Sequence, residues 1–129
     1  MSANSIVQTS DGGYAFVGRT NYFQKQKYGD YSDLWIVRLN SNGNVIWQKT
    51  YSQGKEWGIS IQQTSDGGFI VGGGNDGIFL MKLDSSGAVT WQKAYGGWAP
   101  LGGNYGPEVY QTSDGGYVVA GTIFAGDYD

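Results

Sequence analysis

Histidine and cysteine are both absent from the 129 residues, and proline occurs only twice. Without histidine the chain lacks the commonest general base near neutral pH, the serine triad in its usual form and the most frequent zinc ligand. Without cysteine it has no disulfide and no thiolate metal site, which is compatible with any redox compartment. Positive charge is also sparse. Eight Lys and Arg stand against eleven Asp and Glu, for a net charge of -3, and no Lys/Arg-rich run offers a track for phosphates. Nucleic acid is therefore not an expected partner. No stretch approaches the ~18 to 20 apolar residues of a membrane-spanning helix. The start, Met1-Ser2-Ala3-Asn4, has neither the basic nor the apolar region of a secretory signal. No membrane span and no address are expected.

The chain is rich in glycine (23 residues) and tyrosine (ten), with five tryptophans and 40% hydrophobic content. That is the composition of a folded all-β chain rather than a disordered or collagen-like one. It also repeats itself. The hexapeptide Gln-Thr-Ser-Asp-Gly-Gly begins at Gln8, Gln63 and Gln111, each time followed by an aromatic residue and a short apolar run. A second block, Asp33 to Tyr51, aligns with Gly77 to Tyr95 at an offset of 44 residues. Such periodicity identifies an array of one supersecondary unit.

Turn signals divide each unit into four strands. In the second unit these are Ile59 to Thr64, Phe69 to Gly73, Ile78 to Asp84 and Ala88 to Tyr95. Ser65-Asp66-Gly67-Gly68 is read as a tight hairpin turn in which glycine supplies a positive φ. The third strand is apolar on both faces, with Ile78 and Leu80 on one side and Phe79, Met81 and Leu83 on the other, so both faces must be covered. The fourth alternates, with Val89, Trp91, Lys93 and Tyr95 on one face, as suits an outer strand half in contact and half in water. Units of four strands recurring every ~40 to 50 residues predict an all-β fold of β-propeller blades, with an elongated solenoid of β-hairpins as the rival.

The hexapeptide, its apolar run and the block ending in Trp-Gln-Lys-x-Tyr resemble the repeats of large cell-surface and secreted propeller proteins of bacteria and archaea. They are similar, more distantly, to quinoprotein-type blades. The resemblance covers nearly the whole chain and implies an extracellular or cell-surface location and a binding or scaffolding role.

One repeat region over 1–129 is expected, with blades at 5–51 and 59–95 and a half blade at 109–129. About two and a half blades fall short of a ring of ~4 to 8. Either the chain is a piece of a longer protein or it completes itself through neighbours, and self-association over open blade faces is expected in both cases.

Antiparallel alternation sends all long connections to one face. The connection at Thr20 to Ser32 carries an excess of 11 residues and contains Tyr22, Phe23, Tyr28 and Tyr31. Trp57, Trp98 and Tyr105 fall in the connections between units on the same side. Exposed aromatics among polar neighbours stack on sugar rings or anchor a protein partner, so these seven residues form the candidate ligand face. The alternative is that they pack the loops onto adjacent blades. Trp47 and Trp91 recur at one position and are read as wedges between blades, and Trp35, aligned with Phe79, as a core aromatic. Asp11, Asp66 and Asp114 are read as turn stabilisers rather than metal ligands.

No catalytic residue, metal site or cofactor is expected. The nonrepeated acids show no spacing that singles out a glycosidase pair. The stretches Gly29 to Asp33 and Gly126 to Asp129 lack the ligand count of a calcium loop, and Gly72 to Gly77 lacks the Lys and helix of a phosphate loop. The expected function is a noncatalytic binding or scaffold module with a glycan or protein ligand. The alternatives are a purely structural repeat, or a portion of an extracellular hydrolase or quinoprotein-like enzyme.

Overall fold

The structure, a computed structural model, describes residues 2–20, 33–51, 57–74, 78–95 and 104–123. Ten strands occupy them: β1 (Ser2–Gln8), β2 (Tyr14–Thr20), β3 (Asp33–Leu39), β4 (Val45–Tyr51), β5 (Trp57–Gln63), β6 (Phe69–Gly74), β7 (Ile78–Leu83), β8 (Val89–Tyr95), β9 (Asn104–Gln111) and β10 (Tyr117–Ile123). Among the described residues there is no helix, and hence none long and apolar enough to cross a membrane. The strands form three antiparallel sheets, ordered β1-β2-β3-β4, β5-β6-β7-β8 and β10-β9, none of them closed on itself. The hairpins β1-β2, β5-β6 and β9-β10 start a few residues earlier than the turn signals alone indicate, at Ser2, Trp57 and Asn104.

Five turns are built alike. In each, two backbone hydrogen bonds enclose a five-residue segment: Gly12 N–H donates to Thr9 O at 3.0 Å and Thr9 N–H to Gly13 O at 2.9 Å, with equivalents at Asn40–Asn44, Thr64–Gly68, Asp84–Ala88 and Thr112–Gly116. The fourth residue is Gly12, Gly43, Gly67, Gly87 or Gly115, with φ between 83° and 86°. This left-handed conformation is open to glycine and strained for other residues, and it turns the chain into the twist a hairpin needs. The second glycine of the hexapeptide has a different cause. A Cβ on Gly13 would lie 2.3 Å from Leu39 O, and one on Gly68 would lie 2.2 Å from Leu83 O, so the end of the third strand passes where a side chain would stand.

The sheets stack face to face, with β1 and β2 against β5, and β9 against β5 and β6. The larger core fills the first seam. Ala15, Val17, Leu34 and Ile36 come from the first sheet, and Ile61, Phe69, Val71, Phe79, Met81 and Leu83 from the second. The smaller core fills the second seam with Ile70, Leu80 and Val109, flanked by Trp91, Tyr117 and Val119. Alternation in β7 thus sends Phe79 and Met81 one way and Leu80 the other, and the middle sheet is covered on both faces. Each fully buried aliphatic or aromatic side chain contributes about 1.5–3 kcal/mol relative to exposure, so the seams account for much of the chain's stability.

Two sequence expectations need adjustment. Along β8 only Trp91 is half-buried while Val89, Lys93 and Tyr95 on the same face are exposed, because β8 is an edge strand and contact is left to the longest side chain. Trp35 is not a core equivalent of Phe79. It lies half-buried on the outer face of the first sheet, edge-on to Phe16 at 5.3 Å, with its indole N–H donating to Gln48 Oε1 at 3.1 Å. The position is the same, but among the described residues no sheet lies in front of the first one.

Candidate functional site

Each sheet has two ends. One carries the tight turns, and here the hexapeptide joins consecutive sheets. Ser10 N–H donates to Gln63 Oε1 at 2.7 Å, and Ser65 N–H donates to Gln111 Oε1 at 2.8 Å. The Gln that opens the second and the third hexapeptide therefore reaches back to the turn of the preceding one, a role the sequence does not announce. The recurring Asp faces inward to its own turn. Asp66 Oδ1 accepts from Thr64 Oγ1 and from Gly68 N–H at 2.9 Å, and Asp11 and Asp114 do the same with Thr9 and Gly13, and with Thr112 and Gly116.

The turn between β7 and β8 is held by three side chains of the first sheet. Ser85 O accepts from Arg38 Nη1 at 3.0 Å and from the Trp47 indole N–H at 3.1 Å, and Gly87 O accepts from the Tyr51 hydroxyl at 2.5 Å. The Trp47 ring covers Gly87 so closely that a Cβ there would lie 3.0 Å from it. Burial, with Asp84 nearby, pushes the Tyr51 phenol up to about 12, which keeps it a neutral donor.

Two cations, one half-buried and one buried, anchor the Asp turns. Arg38 pairs with Asp11 at 3.3 Å, and the Lys82 ammonium, itself buried, reaches Asp66 at 3.0 Å and Leu83 O at 2.8 Å. The Thr64 hydroxyl, the Gly68 amide and Lys82 hold the Asp66 carboxyl down to about 2, from an ordinary 3.8. Asp11, Asp84 and Asp114 are lowered as well, chiefly by hydrogen bonds from Thr9, Ser86 and Thr112. A carboxyl with a depressed folded-state pKa favours the folded protein above its unfolded value and loses that contribution as pH falls through the folded one. The thermal midpoint is thus expected to drop as pH falls from 3.8 toward about 2. Asp66→Asn is expected to flatten that limb, as read by circular-dichroism melts across the interval. An unchanged slope would remove Asp66 from the account.

The opposite end is where the long connections attach. Its rows of strand ends are Thr20, Asp33, Leu34 and Tyr51 in the first sheet, Trp57, Gly74, Ile78 and Tyr95 in the second, and Asn104 with Ile123 in the third. Because the turn ends are joined by the Gln contacts, these ends align on one side of the stack. Of the seven candidate ligand residues, Tyr22, Phe23, Tyr28, Tyr31 and Trp98 lie outside the described residues. Trp57 and Tyr105 are placed in strands rather than in connections: Trp57 opens β5 opposite Gly74, and Tyr105 is the second residue of β9, opposite Thr122. Both strands thus carry an aromatic residue to the edge from which the loops leave.

Thr20 and Asp33 pair across β2 and β3 at this edge, and both are buried and engaged. Asp33 is the described member of the acidic stretch Gly29 to Asp33; the remainder of it, and Gly126 to Asp129, lie outside the described residues. Among the described residues no group of three or more Asp or Glu gathers in a way that would hold a metal ion. Comparison of the chain with family models and with curated proteins found no match in either.

Proposed function

We propose that the chain is a noncatalytic module of consecutive β-propeller blades from a surface or secreted protein, whose loop edge binds a glycan or a protein partner. The observation that carries this reading is the division of labour between the two ends of the stack. At the turn end the recurring Thr and Asp are engaged in their own turns, and Gln63 and Gln111 in inter-sheet contacts. The opposite end receives the long aromatic-bearing connections, together with Trp57 and Tyr105 at the starts of β5 and β9. Four-stranded antiparallel sheets of one repeated sequence, stacked with their first strands aligned, are how a propeller is assembled. Loops on such a rigid frame are where recognition is placed.

Tyr28 and Trp98 are the anchors of choice, since an aromatic hot spot contributes about 2 kcal/mol or more to binding. In a glycan and protein-ligand screen, Tyr28→Ala and Trp98→Ala are expected to weaken a detected interaction by roughly 30-fold with the melting temperature unchanged. Binding indifferent to both variants, or no binding by the parent chain, would leave a purely structural repeat.

A further inference from the structure

Among the described residues the stack has two unequal outer faces, and the repeat specifies what fits each of them. Two residues before each hexapeptide stand Ile6, Ile61 and Val109. Ile61 and Val109 are 1% exposed because the preceding sheet covers them, whereas Ile6 is 63% exposed. Beside Ile6 the first sheet turns Tyr14 and Phe16 outward, at the positions of the buried Phe69 and Val71. Ala3, Ser5, Ile6 and Phe16 line an apolar hollow of about 290 Å³ there. At the other end, Tyr110 and Val118 pair across β9 and β10 and are about half exposed. They occupy the positions of Val7 and Ala15, which the first seam covers.

The polar contacts leave matching remainders. The series Ser10 to Gln63 and Ser65 to Gln111 continues to Ser113, an exposed donor at one end. At the other end stands Gln8, an exposed acceptor that takes part in neither contact.

We propose that a second copy of this chain docks head to tail, laying Ile6, Tyr14 and Phe16 of one copy over Tyr110 and Val118 of the next, with Gln8 accepting from Ser113 N–H. The inference rests on the sheets being serial repeats. It extends the seam already built twice inside one chain, so the occupant carries the complementary face at known positions. A contact between different patches is heterologous, so copies add in one direction until the rotation between them closes a ring, and the assembly grows with concentration.

The full chain is tested by sedimentation velocity and light scattering over a concentration series, alongside Ile6→Glu and Val118→Glu. Both sites are exposed, and retained folding is checked by circular dichroism. The parent chain is expected to rise above its 13.9 kDa monomer mass with concentration. Each variant alone, lacking either every head or every tail, is expected to remain monomeric. An equimolar mixture of the two is expected to give a dimer that grows no further. A parent chain monomeric throughout overturns the proposal. So does association that survives Val118→Glu, which would indicate a head-to-head contact, or that survives both variants, which would indicate another surface. Failure of the underlying stack would be seen separately, as a Phe69→Ala chain that melts like the parent.

Discussion

Phe69→Ala is expected to cost about 3–5 kcal/mol, the range for truncating a fully buried aromatic. Phe69 is 0% exposed at the centre of the first seam. Trp47 of the neighbouring sheet meets it edge-on at 6.1 Å, and the Arg38 guanidinium lies 5.6 Å from its ring. Truncation removes the ring from Trp47 and Arg38 together, and neither can move in to fill the space, because both are bound to Ser85 O. The chain provides its own control. Tyr14 holds the same place in the first repeat but is 36% exposed on the outer face, so Tyr14→Ala is expected to cost about 1 kcal/mol or less. Urea unfolding of the two variants at constant m value measures the difference as a shift in midpoint. Since a domain of this size has only about 5–15 kcal/mol in total, Phe69→Ala approaches the limit of folding. Equal losses at the two positions would mean that the seam does not organise the molecule.

The second large effect is expected at Gly68. An alanine Cβ there would lie 2.2 Å from Leu83 O and 2.8 Å from Lys82 Nζ. The lysine end can swing aside, but the carbonyl belongs to the end of β7 and can move only by opening the β6-β7 pairing. Overpacking against backbone costs about 1–3 kcal/mol or more, and here the turn that positions Asp66 for Lys82 is displaced as well. Gly68→Ala is therefore expected at about 3 kcal/mol or above. Gly116 occupies the same place in the third turn. Among the described residues a Cβ there approaches nothing nearer than Thr112 Oγ1 at 3.1 Å, so Gly116→Ala is expected to stay within about 1 kcal/mol. Thermal melts of the pair separate the steric cause from any general intolerance of the motif. Comparable losses would show that the second glycine is needed for its own backbone conformation.

The seven aromatics proposed for ligand binding follow from the direction of the strands. Strands that alternate must send their long connections to one side; Tyr22, Phe23, Tyr28, Tyr31 and Trp98 lie outside the described residues. Trp57 and Tyr105, expected in connections, lie in strands, because strand boundaries have weak signals in a sequence. Ladder pairing with Gly74 and Thr122 extends β5 and β9 back through them.

The all-β class, the turn positions and the two-sided character of β7 were determined by the sequence alone. Positive φ at glycine and the period of two depend on a residue and its immediate neighbours, and those are present in any window of the chain. The tertiary structure alone decided the rest. It gave Gln63 and Gln111 their partners 53 and 46 residues away, explained the second glycine by a carbonyl from another strand, buried the Lys82 ammonium beside Asp66, and left Trp35 outside while Phe79 went inside. Identical motifs acquire different surroundings according to where their sheet stands in the stack, and a face becomes core only when another sheet lies against it.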